Sequence, residues 1–179
     1  MDFQYTNTFL SPLGKIFMAS DGSSLTGLWF DGQKYFGENL VTDSLEQDLP
    51  IFQEAKHWLN LYFQKEKPET MPPLRLLSSP FRCSVWEILL TIPYGQVITY
   101  GEIAKVLASK HGRSSMSAQA VGGAVAHNPI SIIIPCHRVI GANGSLTGYA
   151  GGIERKIKLL SLEGVDLSHM SIPKQGTAL

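Results

Sequence analysis

The chain has 179 residues, 44% of them hydrophobic and 17% charged, with 15 Lys+Arg balanced by 15 Asp+Glu. This composition excludes a disordered chain, and the length suffices to bury a core without disulfide or metal staples. The zero net charge argues against indiscriminate polyanion binding but hides an asymmetry: residues 1–96 carry seven Lys/Arg against eleven Asp/Glu, residues 97–163 carry seven against three, and the remainder has one of each. One reading is an anionic partner for the second half, and the other is chance. Two cysteines, Cys83 and Cys136, do not make a disulfide scaffold. The first residues show no signal-peptide pattern and no apolar run is long enough for a bilayer, so a reducing, cytoplasmic setting without membrane contact is expected.

In chain order, residues 3–9 are expected to form a strand. Residues 14–20 form another, with Ile16 and Met18 on one face. Asp21-Gly22-Ser23-Ser24 is a turn, and residues 25–30 are a strand closed by Asp31-Gly32, a hairpin-type dipeptide. After an acidic stretch, helical spacing puts Phe52, Ala55, Leu59 and Phe63 on one stripe over 50–64. Three prolines among charges over 65–73 read as a linker.

The second half reads as helices. Ser79-Pro80 starts one that runs to about Ile92, with Phe81, Val85, Trp86, Leu89 and Leu90 inward. Thr99-Tyr100-Gly101-Glu102 is a capping box opening a helix to about Ser109. Residues 117–126 form a small-surfaced helix whose Gly122 and Gly123 suit close approach of a surface. The pair reads as a helix-turn-helix or as an ordinary helical hairpin. A last helix over 153–163 ends at Gly164.

The apolar run 132–135 leads into Cys136-His137-Arg138, where cationic neighbours favour a thiolate; the alternative is a buried inert thiol. Cys83 lies in an amphipathic helix without a histidine and reads as structural. Gly151-Gly152 before the last helix offers approachable N–H groups or is a simple turn. The histidines and cysteines show no metal-ligand spacing, so no metal is expected.

Pro135-Cys136-His137-Arg138-Val139 resembles the active-site motif of the O6-alkylguanine-DNA alkyltransferases. Four further segments resemble the same family in order: Ile92-Pro93-Tyr94-Gly95 with 99–102, Ala120-Val121-Gly122-Gly123-Ala124 with Asn128-Pro129, Tyr149-Ala150-Gly151-Gly152, and Leu162-Glu163-Gly164. The resemblance covers about 79–164. It implies an α+β protein: a small sheet-plus-helix, ribonuclease H-like supporting domain at 1–75, a mainly helical, winged helix-turn-helix-like domain at 79–165, and a loose tail at 166–179. It implies transfer of the alkyl group from O6-alkylguanine, with O4-alkylthymine as a further substrate, in double-stranded DNA to the protein's own cysteine. The base is flipped out, one alkyl group is taken per molecule, no cofactor is needed, and a monomer is expected.

The resemblance further implies roles. Cys136 is the acceptor; His137, acting through a water and oriented by Glu163, activates it; Tyr100 hydrogen-bonds the base; Asn128 braces the site. Gln119, Ala120, Gly123, Arg138, Val139, Tyr149, Ala150 and Gly151 meet DNA or the base, with Gln119 where the family often has an arginine. Lys110 and Arg113 read as phosphate contacts or as solvated charge. Some members carry a zinc in the N-terminal domain, but no cysteine stands there in this chain, so none is expected. Three rivals remain: a recognition-only relative, which would lack the cysteine; a cysteine hydrolase, for which adjacent Cys-His gives poor geometry; and a thiol redox sensor independent of DNA.

Overall fold

The computed structural model describes residues 4–41 and 43–173 and divides into two units. The first comprises the chain up to Leu77 together with Pro129–Ile133, and the second comprises Ser78–Asn128 and the chain from Ile134 onward.

In the first unit, strands β1 (Gln4–Ser11), β2 (Gly14–Ser20), β3 (Leu25–Phe30) and β4 (Ser44–Glu46) form a sheet in the order β3-β2-β1-β4. The pairs β1–β2 and β2–β3 are antiparallel, whereas β4 lies parallel to β1. Phe3, placed in the first predicted strand, lies outside the described residues. The β2–β3 turn forms because Asp21 Oδ1 accepts from the Ser23 and Ser24 N–H groups at 3.0 and 2.8 Å. Asp31-Gly32 also turns the chain, but among the described residues no strand returns along β3 from it. Instead, the outer edge of β3 is paired in parallel by two short segments, at Leu74 and at Ile130. Leu25 and Leu28 donate to the Pro73 and Pro129 carbonyls, both at 2.8 Å. All six residues of β3 are buried as a result. Helix α1 (Pro50–Phe63) starts with proline in its first turn and buries Phe52, Ala55, Leu59 and Tyr62. Tyr62 therefore takes the stripe position expected of Phe63, which is half-buried.

In the second unit, α2 (Pro80–Leu90) is capped by the Ser79 side chain and ends two residues earlier than expected. Val85, Trp86 and Leu89 are buried as expected, Ile88 joins them, and Phe81 and Leu90 are half-buried. Strand β5 (Ile98–Thr99) leads into α3 (Tyr100–Lys110) through the complete Thr99–Glu102 capping box. Helix α4 (Ala118–Ala126) begins with the Ser117 side chain accepting from Ala120 N–H. It packs on α2, where Trp86 Nε1 donates to the Ala124 carbonyl at 2.8 Å. A single 3-10 turn at Cys136–Arg138 precedes β6 (Val139–Ile140), which pairs parallel with β5. Helix α5 (Ile153–Leu162) follows.

The last stretch corrects an expectation. Residues 167–171 are tied down, and 174–179 lie outside the described residues. Ser171 accepts from Leu146 N–H at 2.8 Å and donates to the Gly144 carbonyl at 3.1 Å. Leu167 and Met170 pack on a cluster of Ile140, Leu146 and Leu160. Apolar side chains at both positions give the segment a reason to dock.

Candidate active site

The acceptor candidate, Cys136, opens the 3-10 turn Cys136–Arg138, four residues after a strained backbone position. Ile132, wholly buried, has φ +69°, a backbone region that β-branched residues rarely adopt. The apolar run before Cys136 is thus a packed turn and not a strand. Cys136 itself is 5% exposed. Asn128, just past the end of α4, donates from Nδ2 to Cys136 Sγ at 3.0 Å and to the Ile134 carbonyl at 2.8 Å. One amide thereby links the end of α4 to the turn that carries the thiol. Burial pushes the thiol up to about 11, against the pull of the Asn128 hydrogen bond and the Lys156 charge. The resting sulfur is therefore a protonated thiol, shielded from solvent.

His137 is wholly buried, and its Nε2 lies 2.6 Å from Glu163 Oε1. Burial pushes its pKa down against the raising effect of Glu163, so the ring is neutral, with Nε2–H donating and Nδ1 basic. Glu163 stands at the end of α5. Burial would raise its pKa, but hydrogen bonds from His137 and Arg138 outweigh that and hold it down to about 2. Gly95 N–H also donates to Glu163 Oε2 at 3.1 Å. Gly95 has φ +75°, and a Cβ there would stand 2.9 Å from the Glu163 carbonyl oxygen, so glycine alone fits.

Arg138 is the clearest departure from expectation. Placed by sequence among the DNA or base contacts, it is 8% exposed and directed inward. Nε and Nη2 donate to the two Glu163 oxygens at 2.8 and 3.0 Å, and Nη1 donates to the Ile92 carbonyl at 2.7 Å. A buried carboxylate recruits the guanidinium because an unpaired charge there would be costly.

Lys156 was missed. It projects from α5 with no exposed surface, and its Nζ donates to the Val139 carbonyl at 2.5 Å and to the Thr147 carbonyl at 2.7 Å. Burial lowers its pKa to about 8, against the raising effect of Cys136. Its signal was available: Ile153, Lys156, Ile157 and Leu160 share the 3.6-residue stripe of α5, so a lysine stands where a core residue is due. The Thr147 carbonyl also accepts from Tyr100 Oη at 3.1 Å, and burial pushes the Tyr100 hydroxyl up to about 12. Tyr100, Thr147, Lys156 and Val139 thus form one chain of hydrogen bonds beside the thiol.

The remaining expected residues divide into two sets. Tyr149 is 7% exposed, and its ring centre lies 6.4 Å from that of His137. Ala150 is half-buried; Gly151 is buried, and a Cβ there would meet the Tyr149 ring at 2.5 Å. Gly152 N–H donates to the Tyr149 carbonyl at 3.0 Å, so this part of the loop is a turn and not an open N–H. Gln119, Ala120 and Gly123 form an exposed face on α4. No neighbour in the chain requires Gly123, since a Cβ there would meet nothing within 4 Å. Lys110 pairs with Glu87 at 3.3 Å, whereas Arg113 is exposed on the α3–α4 loop. Among the described residues no three His, Cys, Asp or Glu side chains group as metal ligands, and no helix is long and apolar enough to cross a membrane.

Comparison with known proteins matches both halves of the chain. Residues 5–76 match the ribonuclease-like domain of 6-O-methylguanine DNA methyltransferase, and residues 80–165 match its DNA binding domain. A methylated-DNA–protein-cysteine methyltransferase of Mycobacterium tuberculosis is 46% identical over 156 residues, covering 87% of this chain and 90% of the relative. One from Methanosarcina acetivorans is 44% identical, covering 89% and 98%. The crystal structure of the Mycobacterium tuberculosis OGT in complex with DNA superposes with a TM-score of 0.78 at 45% identity, over 89% of this chain and 92% of that one. With both domains matched in order and relatives this similar along nearly their whole length, the chain belongs to the methylated-DNA–protein-cysteine methyltransferase family.

Proposed function

We propose that this member of the family repairs O6-alkylguanine in double-stranded DNA by moving the alkyl group onto Cys136, with His137 as the base, Glu163 as its orienting carboxylate, and Tyr100 and Asn128 bracing the base and the thiol. One observation carries the reading: a buried thiol held by Asn128 stands next in sequence to a buried histidine that is 2.6 Å from a carboxylate. The stacked lesion must leave the duplex to reach such a thiol. The exposed face of Gln119, Ala120 and Gly123 has the small surface that close approach to DNA requires, and the relative crystallised with DNA supports the same partner.

The chemistry follows from the protonation states. At rest the thiol is protonated, His137 is neutral and Glu163 is ionised. His137 accepts the thiol proton on Nδ1, through a water, while Nε2–H strengthens its bond to Glu163. The buried cluster then holds two cations, Lys156 and Arg138, besides the new imidazolium, against Glu163 and the thiolate. This environment tolerates the thiolate far better than an apolar cavity would. The sulfur attacks the alkyl carbon in line; an S–C bond forms as the O6–C bond breaks, and guanine leaves with its negative charge spread over the ring. Tyr100, whose hydroxyl keeps its proton to about pH 12, donates a hydrogen bond to that charge after exchanging the Thr147 carbonyl for the base. The thiol proton ends on guanine. The product is a thioether, which no group in the site is placed to cleave, so each molecule acts once. We read the protein as acting as a monomer in a reducing cytoplasm, which keeps the thiol usable.

The test is intact-protein mass after mixing with a duplex carrying one O6-methylguanine. One added methyl, mapped to Cys136 and absent from Cys136→Ser, is the expected result. Repeated turnover, or methyl uptake that survives Cys136→Ser, refutes the assignment.

A further inference from the structure

Four hydrogen bonds converge on the Glu163 carboxylate, whose side chain has no exposed surface: one from His137, two from Arg138 and one from the Gly95 N–H. A base for the thiol needs only the first. The arginine bonds raise a separate question, because the ring beside them must stay uncharged to work. Were His137 the only group able to counter Glu163, the pair would gain by drawing a proton onto the imidazole, since a buried carboxylate favours a cation at hydrogen-bond distance. An imidazolium carries protons on both nitrogens and takes none from a thiol. Arg138 removes that drive by giving Glu163 a permanent countercharge in a two-point fork.

We propose that Arg138 is a positioning residue for alkyl transfer: its fork on Glu163 holds the carboxylate as an already neutralised acceptor, so that His137 remains an uncharged base. The inference rests on the reading of His137 as the base. The charged and titratable groups facing the pair are consistent with it. From α5 come Glu163 and Lys156; from the 3-10 turn, Cys136 and Arg138; from the loop after α2, Tyr94; and from the loop before α5, Tyr149. Lys156 directs its ammonium to the Val139 and Thr147 carbonyls, so Arg138 is the cation that reaches the carboxylate. The guanidinium is itself held on its other side by the Ile92 carbonyl and by the Tyr94 ring 5.8 Å away. Burial does most to push the His137 pKa down and Glu163 pulls it up; the Arg138 and Lys156 charges add to the downward push, in the direction the proposal requires.

A purely structural role, stitching the 92–95 loop to the end of α5, predicts something different, and two readouts on the full chain separate them. The first is the NMR titration of the His137 ring in labelled protein, assigned with His137→Gln. The second is the single-turnover rate of methyl transfer between pH 5.5 and 9. In Arg138→Met, His137 is expected to titrate higher by about one pH unit or more, and the acid limb of the transfer profile to move up with it. The deficit, about tenfold or more at pH 6, then shrinks by pH 8.5. Arg138→Lys keeps the charge without the fork and is expected to retain more transfer, with a smaller displacement of His137. An unmoved His137 with transfer reduced equally at every pH overturns the proposal. If Arg138→Met fails to fold, a folded Arg138→Lys that has lost transfer equally at every pH overturns it as well. A displaced His137 with an unmoved transfer profile upholds the coupling through Glu163 but removes His137 as the base, so the two readings fail separately.

Discussion

Replacing Lys156 by Met separates what this residue costs the fold from what it does for the site. The ammonium has no exposed surface, and burial takes its pKa from 10.5 to about 8. At about 1.36 kcal/mol for each pH unit, holding it charged at pH 7 costs the folded state about 3 kcal/mol. Methionine has a similar length and removes that cost. It also leaves the Val139 carbonyl without the lysine's bond, a loss of about 1–2 kcal/mol, whereas the Thr147 carbonyl keeps Tyr100. The variant should therefore be more stable by about 1–2 kcal/mol at pH 7. The sign of the pH dependence is fixed by linkage. Between pH 8 and 10.5 the unfolded chain holds the Lys156 proton and the folded chain does not, so wild-type stability gains over that window relative to the variant. The advantage of Lys156→Met is full below pH 8, passes through zero within that window, and by about pH 10.5 has reversed, because the charge cost is gone while the lost Val139 bond remains. Cys136 titrates in both proteins and largely cancels in the difference. Urea unfolding of both at several pH values between 7 and 10.5 measures it, and single-turnover transfer should be slower in the variant throughout. An advantage that stays constant across that range, or a variant less stable at pH 7, refutes the reasoning.

Two further outcomes follow from the geometry. Gly148 has φ +71°, and a Cβ there would stand 2.6 Å from Tyr100 Oη; Gly148→Ala should cost about 1–3 kcal/mol in chemical denaturation and slow transfer by displacing the hydroxyl, and a variant of wild-type stability and rate counts against the role of Tyr100. Gln119→Arg adds a charge to the exposed face of α4 and should tighten binding to fully paired lesion DNA and speed transfer, with binding more steeply dependent on salt; no change in either rate or affinity refutes the assignment of that face to DNA.

Legibility in the sequence tracked the range of the interactions involved. Helices α1, α2 and α3 could be read because periodicity, Ser79-Pro80 and the Thr99–Glu102 box are local signals. Strand β4 was hidden because three residues in an acidic stretch become a strand only by pairing with β1. Cys136 and His137 are neighbours in sequence and stood out. Asn128, Tyr100 and Glu163 carry no local mark, because they meet Cys136, Thr147 and His137 across 8, 47 and 26 positions, and only resemblance to a family pointed to them. Arg138 was misassigned for a physical reason: an arginine in a basic stretch looks the same whether it meets phosphate or a buried carboxylate. Lys156 was legible and overlooked, since a charge on the apolar stripe of α5 is a conflict that burial alone resolves.

The long-range pairing along β3 has a consequence for biosynthesis. Leu28 finds its partners at Pro129 and Ser131, which leave the ribosome more than fifty residues after Leu77 closes the rest of the first unit. At translation rates of roughly 5–20 residues per second, the nascent sheet carries an open strand edge for several seconds. During that interval the Leu28 half of the β3 edge lacks its partner, and it is sealed only as the segment immediately before Cys136 emerges.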